Sequence, residues 1–278
     1  MTIATSAENS AHGPGTLFLV PAPLDFGCAE LVPLTQVLPQ HTLDVAARLT
    51  HWVCENARST RAYLKRVDAL VPLAQPLQAL QIQELPRSVH KAGDHVKPAE
   101  KAARRPAAPP FDARALLAPA LRENGGHDIG LVSEAGMPAI ADPGSGVVRA
   151  AHDLGLPVVA LAGPVSLLLA LAASGLNGQN FAFVGYLPQA AAERTRRIRE
   201  LEALALRSGQ TQLCIETPYR NPALLQALVH TLQPGTRLSV SLGLSLPTAR
   251  TLSRSVAHWR QQPQELPRDV PAVFGFGV

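Results

Sequence analysis

The sequence predicts an α/β protein with a parallel sheet in its N-terminal part and a mixed sheet in its C-terminal part. Short apolar runs alternate with amphipathic segments at the spacing of strand–helix units. Glycines and prolines separate these segments, as expected for turns. Hydrophobic residues make up 46% of the 278 residues, which is enough for a sizeable core, and aromatics only 4%, so Ala, Leu and Val must do most of the packing.

The N-terminal part begins with a buried strand at 15–20, which Pro21 and Pro23 end because proline cannot continue a central ladder. Alternating strands and helices favour a parallel sheet here. The further elements predicted in this part are, in order, helix 43–49, strand 51–55, helix 56–66, helix 113–124 with Gly125 and Gly126 as its stop, strand 128–133, helix 144–154, strand 157–161 and helix 165–173.

The pattern changes after Gly175, where strands and helices no longer alternate strictly. This part is predicted to contain strands at 181–186, 211–216, 237–244 and 270–278, and helices at 194–206 and 221–232. We expect a second α/β domain with a partly antiparallel sheet. The predicted division is a disordered N-terminus at 1–14, an N-terminal domain at 15–177 and a C-terminal domain at 178–278.

The net charge of +4 is concentrated in one segment. Seven basic and three acidic residues lie between Arg87 and Arg114, so the rest of the chain is neutral and a uniformly basic coat for nucleic acid is not indicated. The region 87–110 is rich in Ala, Lys, Arg and Pro and predicts a flexible basic insertion, either a solvated loop or a nucleic-acid-binding arm.

The cysteines and the apolar segments suggest a cytoplasmic protein. Cys28, Cys54 and Cys214 form no CxxC pair, which argues against a disulfide framework and a zinc site, and no metal is predicted. The first fifteen residues have no apolar signal core. The apolar run 157–176 is interrupted by Gly163 and Pro164, so it predicts a strand, a turn and a helix rather than a membrane span.

Three loops that follow predicted strands are candidates for ligand binding, at 21–27 (PAPLDFG), 133–146 (SEAGMPAIADPGSG) and 162–166 (AGPVS). Ligands of open α/β sheets bind beyond the carboxyl ends of the strands. Glycine lets the backbone approach a ligand closely, and proline fixes the shape of the loop. The GxGxxG, Walker-type, HExxH and GxSxG motifs are absent, so these residues alone predict only a ligand crevice.

The sequence of these loops resembles the ribosomal RNA small-subunit methyltransferase I group of the tetrapyrrole-methylase superfamily. LVSEAGMPAIADPG is similar to the LVSDAGTP-x-ISDPG signature of that group, and LAGPVSLLLALAASGL is similar to its P-G-P-(S/C)-A segment. GTLFLVPAPL, ENARSTR, FAFVGYLP and IETPYR match further motifs of the group in the same order. This ordered set spans nearly the whole chain and is far more specific than one motif.

The resemblance implies a two-domain tetrapyrrole-methylase-like fold that binds S-adenosylmethionine in the cleft between its domains, mostly through backbone atoms. It also implies a homodimer that acts on ribosomal RNA or the small ribosomal subunit, and no membrane partner. The residues that match cofactor-binding positions are Leu24, Met137, Pro138, Ala139, Ile140, Val165, Ser166, Ile215, Leu244 and Ala272, with Glu216 beside them. The residues assigned to substrate binding are Arg58, Arg61, Tyr219 and Arg220.

The departures from the group lie on the substrate side. Asn56 stands where the family has an acid, and Tyr219 stands where it has a histidine. The first loop and the Gly136-Met137-Pro138 triplet also differ. We therefore keep three hypotheses: ribose 2′-O-methylation of small-subunit ribosomal RNA, methylation of a small molecule such as a tetrapyrrole, and a module that binds S-adenosylmethionine or RNA without turnover.

A ribose hydroxyl is a poor nucleophile at neutral pH, so a nearby carboxylate is expected as a general base. Glu55, Glu216 and Asp25 are the candidates, in that order. Glu55 has an alternative role as an ion-pair partner of Arg58 or Arg61, and Glu216 as a cap of the following turn. Asp142, which precedes Pro143, is predicted to be a helix N-cap.

Two predicted helices carry clusters of basic residues. One contains Arg58, Arg61, Lys65 and Arg66, and the other contains Arg194, Arg196, Arg197 and Arg199. Either cluster is suited to phosphate contacts, and either is also compatible with an ordinary solvated face.

Overall fold

Ten strands form two five-stranded sheets in the computed structural model, which describes residues 13–25, 27–86 and 112–278. One sheet is parallel and one is mixed, so the predicted fold class is confirmed. The predicted basic insertion at 87–110 and nearly all of the predicted disordered N-terminus lie outside these residues. The strands are β1 Leu17–Leu19, β2 His51–Cys54, β3 Gln81–Glu84, β4 Ile129–Val132, β5 Val158–Ala160, β6 Phe181–Tyr186, β7 Thr211–Glu216, β8 Arg237–Leu242, β9 Arg250–Ser255 and β10 Ala272–Gly277.

The helices connect these strands, and two of them, Leu34–Val37 and Val256–Gln261, were not predicted from the sequence. The α-helices are α1 Leu34–Val37, α2 Gln40–Arg48, α3 Ala57–Asp68, α4 Ser145–Asp153, α5 Ser166–Ser174, α6 Ala191–Ser208, α7 Asn221–Thr231 and α8 Val256–Gln261. The helix predicted at 113–124 is instead two 3₁₀ segments, Ala113–Ala120 and Arg122–Asn124. Pro119 accounts for this difference, because proline cannot donate the hydrogen bond that an α-helix requires.

The chain forms two compact units, of which the first comprises residues 13–22 and 38–163. Its sheet has the order β3-β2-β4-β1-β5, and all its strands are parallel. Their carboxyl ends therefore share one edge, where the loops after β2 and β4 emerge. The buried core of this unit includes Leu17, Val53, Leu117, Ile129, Leu131, Val147 and Ala151.

The second unit comprises residues 23–37 and 164–278, and its sheet has the order β6-β7-β10-β8-β9. β6 and β7 are parallel, while β10 is antiparallel to both β7 and β8. The ends of β6, β7 and β8 and the start of β10 therefore lie at one edge. One face of the sheet packs around Ile198, Cys214, Leu228, Trp259, Phe274 and Phe276.

Helix α5 packs with the second unit, although it precedes the domain boundary predicted at 177/178. Leu167 and Leu171 of α5 are buried against Leu213 and Val273 on the other face of the mixed sheet. Burial of an apolar face, rather than order along the chain, therefore decides the unit to which α5 belongs. Nowhere in the described ranges is a helix both long enough and apolar enough to cross a membrane.

Candidate active site

The loop 133–146, which follows β4, has a sharply turning backbone. Ala139 and Ala141 both have φ +66°, and Gly144 has φ +138°. A Cβ at Gly144 would lie 3.1 Å from Leu131 Cδ2 and 3.2 Å from the Ala139 nitrogen, so only glycine fits there. Gly136 and Ala22 exchange backbone hydrogen bonds of 3.0 and 2.9 Å. These bonds join the loop 133–146 to the chain just after β1, within the first unit.

Three carboxyl groups meet beside this loop. The Glu134 backbone N–H donates to Glu55 Oε2 at 3.4 Å, and Ser59 Oγ donates to Glu134 Oε1 at 3.4 Å. Burial, and then the charges of Glu55 and Glu134, raise the pKa of Asp142 to about 7. A carboxyl group that titrates near neutrality can exchange a proton with a bound molecule at physiological pH.

The prediction that Asp142 caps a helix was wrong. Helix α4 begins at Ser145, and its N-cap residue is Gly144, which has no side chain that could form a capping hydrogen bond. Asp142 therefore lies before the helix and contributes instead to the carboxyl cluster. The sequence alone missed this group because Glu55 and Glu134 are 79 residues apart along the chain.

Asn56, which replaces an acid of the resembled group, caps helix α3. Its side-chain oxygen accepts from the backbone N–H of Arg58 at 2.9 Å and of Ser59 at 3.4 Å. An amide oxygen satisfies these donors as a carboxylate would, so the change preserves the helix start that follows Glu55. Arg58 and Arg61 are exposed, and within the part of the chain that the structure describes neither forms an ion pair with Glu55.

The cofactor-binding residues predicted in the first unit belong to the same loop, 133–146. Pro138 is buried, Met137 and Ala139 are half-buried, and Ile140 is 42% exposed. Ser133 Oγ is buried and has no hydrogen-bond partner in the described part of the chain. Small residues, backbone carbonyls, an unsatisfied hydroxyl and nearby carboxylates suit a nucleoside that carries a positive sulfonium, so these residues fit S-adenosylmethionine.

The other predicted cofactor residues belong to the second unit. Leu24, Val165 and Ser166 are half-buried, and Val165 is the N-cap residue of α5. Ala272 pairs in register with Glu216 and with Leu242, so Ile215, Glu216, Ala272 and Leu244 lie at one edge of the mixed sheet. Four of the residues predicted in the second unit thus lie together, at the ends of neighbouring strands.

Glu216 and Asp25 both have local partners. Glu216 Oε1 lies 2.9 Å from Arg220 Nη2 and accepts from the Thr217 backbone N–H at 2.8 Å. Asp25 is 3% exposed, and its carboxylate accepts from the Val32 backbone N–H at 2.9 Å. These contacts tie both carboxylates to neighbouring backbone, whereas Glu55 lies in the carboxyl cluster.

Comparison with known proteins identifies related sequences. The profile of the family Tetrapyrrole (Corrin/Porphyrin) Methylases matches residues 56–256. A protein named Ribosomal RNA small subunit methyltransferase I from Pseudomonas aeruginosa is 40% identical over 107 residues, which are 38% of this chain and 36% of that protein. The protein of the same name from Bacillus subtilis is 41% identical over 107 residues, 38% of this chain and 35% of that protein. The match thus spans about a third of the length of these curated relatives.

Solved structures share the fold at low sequence identity. A conserved hypothetical protein from Aeropyrum pernix K1 aligns with a TM-score of 0.54 at 16% identity, covering 95% of this chain and 85% of that one. The methyltransferase CobJ aligns with a TM-score of 0.51 at 14% identity, covering 95% of this chain and 94% of that one. At these identities the likeness extends to the fold alone.

Proposed function

The chain belongs to the tetrapyrrole (corrin/porphyrin) methylase family, and on that premise we propose that it transfers a methyl group from S-adenosylmethionine to a ribose 2′-hydroxyl of small-subunit ribosomal RNA. The observation that carries the proposal is the carboxyl cluster of Glu55, Glu134 and Asp142 beside the turn at 133–146. The RNA substrate is supported by the relatives named ribosomal RNA small subunit methyltransferase I, of which the one from Pseudomonas aeruginosa is 40% identical over 107 residues.

The residues proposed to bind the cofactor in the first unit are those of the turn around Pro138. When bound, S-adenosylmethionine supplies an activated methyl group on a sulfonium that leaves as a neutral thioether. The turn is proposed to stabilise the positive charge through backbone carbonyls, and its buried residues would exclude water. The cofactor-binding residues proposed in the second unit are Leu24, Val165, Ser166, Ile215, Leu244 and Ala272.

The carboxyl cluster is proposed to accept the proton of the ribose hydroxyl. Glu55 is the first candidate for the base, because its carboxylate lies at the carboxyl end of β2 and close enough to Asp142 for its charge to raise the pKa of that group. Asp142, with its pKa raised to about 7, can hold the proton that Glu55 receives. Glu216 is the weaker candidate, since Arg220 and Thr217 occupy its carboxylate.

We also propose that the protein is a homodimer and that it acts in the cytoplasm, where small ribosomal subunits are found. Arg58, Arg61, Tyr219 and Arg220 are its substrate-binding residues. Arg220 lies over the Tyr219 ring, with 5.4 Å between the guanidinium carbon and the ring centroid. Such a pair suits a base and its phosphate.

The test is transfer of radiolabelled methyl groups to immature small ribosomal subunits, to free RNA and to a porphyrinogen. Label in the ribose of the subunit RNA is the expected result. Label in the porphyrinogen alone would contradict the RNA substrate but retain methyl transfer. Binding of S-adenosylmethionine without transfer to any of the three would leave only a binding module.

A further inference from the structure

We propose that the second unit carries a binding surface for single-stranded RNA, built from Tyr186, Tyr219, Arg196, Arg199 and Arg220. We call this set the Tyr–Arg surface. It names an interaction surface for the proposed RNA substrate and so rests on the proposed function. It goes beyond that function by adding residues of β6 and α6, to which neither the resemblance nor the relatives assign a role.

Two exposed aromatic rings lie at the same edge of the mixed sheet. Tyr186, the last residue of β6, is 58% exposed, and Tyr219 is 63% exposed. Tyr186 is paired in register with Ile215, four residues before Tyr219, so the two tyrosines emerge from adjacent strands. Exposed rings are favourable stacking platforms for unpaired bases, because every base has a π-face.

Basic side chains follow both tyrosines along the chain. Arg220 lies over Tyr219 and forms an ion pair with Glu216 at 2.9 Å, which holds its guanidinium in place. Helix α6 begins five residues after Tyr186, and its first half contains Arg194, Arg196, Arg197 and Arg199. Arg196 and Arg199 lie roughly 8 and 12 Å along the helix axis from its first residue. Because α6 begins so soon after Tyr186, we expect the phosphates of a strand stacked on that ring to come within reach of these arginines.

Helix α6 has a shallow depression on its exposed face. Ala191, Ala192, Thr195, Arg196, Arg199 and Glu200 line a volume of about 540 Å³. Ala191, Ala192 and Thr195 are small, so they leave room beside the two arginines. Glu200 pairs with Arg196 at 3.8 Å and with Arg197 at 3.3 Å, while Arg199 is in no ion pair within the described ranges. Arg199 therefore offers a guanidinium for a phosphate without breaking an existing pair.

The combination of rings and arginines favours single-stranded RNA over other anionic partners. A duplex hides its bases and would use the arginines but not the tyrosines. An anionic membrane would attract the arginines but offers no base to stack. Dependence of binding on the tyrosine rings is thus the property that distinguishes the proposed partner.

The experiment measures fluorescence anisotropy of the full chain with a labelled single-stranded RNA of about 16 nucleotides. Tyr186→Ala is expected to weaken binding about fivefold or more, whereas Tyr186→Phe keeps the ring and should bind like the wild type. In the double variant Arg196→Glu and Arg199→Glu, the slope of log affinity against log salt concentration should become less steep by about 1.4. This is the change expected when two phosphate contacts to a single strand are lost. Arg207→Glu, near the other end of α6, is the matched charge-reversal control and should bind like the wild type.

The outcomes decide the proposal independently of catalysis. Equal RNA affinity of Tyr186→Ala and the wild type would overturn the proposal. It would also be overturned if Tyr186→Ala weakened binding to a duplex as much as binding to the single strand, or if the wild type bound phosphatidylserine vesicles more tightly than RNA. Thermal unfolding and S-adenosylmethionine binding of each variant check that the fold is intact. If no substrate is methylated but RNA binding depends on the Tyr–Arg surface, the proposed reaction fails while this inference stands.

Discussion

The Glu55 carboxylate accepts a hydrogen bond from the backbone N–H of Glu134, which joins the loops after the neighbouring strands β2 and β4. Ser59, from the first turn of α3, donates to the Glu134 carboxylate. Three separate elements thus converge on two acids, and Asp142 lies near enough for both charges to raise its pKa. The three acids come from the ends of two neighbouring strands and the loop between β4 and α4, and each can be tested by its own substitution.

Asp142→Asn is expected to raise stability at alkaline pH. The pKa of Asp142 is raised to about 7, so the native state favours the protonated acid, and this stabilisation is lost as the pH rises through about 7. Relative to the wild type, the variant should gain on the order of a few kcal/mol at pH 8 and nothing at pH 4. Thermal unfolding across this pH range measures the difference in stability between Asp142→Asn and the wild type. Asp153→Asn, on the exposed end of α4, is the control. A difference in stability that does not vary with pH would refute the prediction.

Protonation of His51 is expected to lower the stability of the protein at acidic pH. Its ring stacks on His127 with centroids 4.5 Å apart, and burial followed by the charge of His127 lowers the pKa of His51. The neutral ring is favoured in the native state, so its contribution is present above about pH 6.5 and is lost as the pH falls. His51→Gln should therefore lose less stability between pH 7 and pH 5 than the wild type. His258→Gln, at an exposed position, should follow the wild type, and parallel curves for all three would contradict the account.

Glu202 holds helix α6 to the turn before β8. Its side chain is 3% exposed and accepts from the Gln233 backbone N–H at 2.8 Å and from Thr236 Oγ1 at 2.5 Å. Glu202→Ala should cost about 2–4 kcal/mol in unfolding free energy, because both donors lose their partner. Glu200→Ala removes only surface ion pairs and should cost less than about 1 kcal/mol. Equal urea midpoints for the two variants would show that Glu202 has no such role.

Glu55→Gln is expected to slow methyl transfer without loss of cofactor binding. Removal of a general base typically lowers kcat by about 10²–10⁴-fold. Glu84→Gln is the matched control, since Glu84 ends the neighbouring strand β3 and accepts from the Ala57 N–H at 2.6 Å. Single-turnover rates with saturating S-adenosylmethionine make the comparison. A rate for Glu55→Gln equal to that of the control would remove Glu55 from the mechanism.

The strongly apolar elements could be predicted from the sequence, and the polar edge strands could not. β6 and β7 begin and end at the predicted residues, because their apolar content and the glycine or polar residues around them mark both ends. β3 (QIQE) and β9 (RTLSRS) were missed, since each lies at the edge of its sheet and carries mostly polar side chains. Propensity is a weak guide where neighbouring strands supply the pairing.

The loop at 133–146 could be singled out from its glycines and prolines, but its charge environment could not. Asp142 lies eight residues after Glu134, yet its raised pKa also depends on Glu55, which a different strand brings to the same edge. The Gly144 conformation, with φ +138°, moved the helix start beyond Asp142. Long-range proximity of this kind follows from sheet order, which spacing along the chain does not encode.

Calorimetric titration of S-adenosylmethionine into the wild type and Pro138→Arg tests the central claim most directly. Pro138 is buried in the loop, so an arginine there should fill the space proposed for the cofactor and abolish binding. Pro157→Arg, at an exposed proline before β5, is the matched control and should bind like the wild type. Loss of binding in Pro138→Arg alone is the predicted result. Equal binding by all three proteins would contradict the placement of the cofactor in this loop.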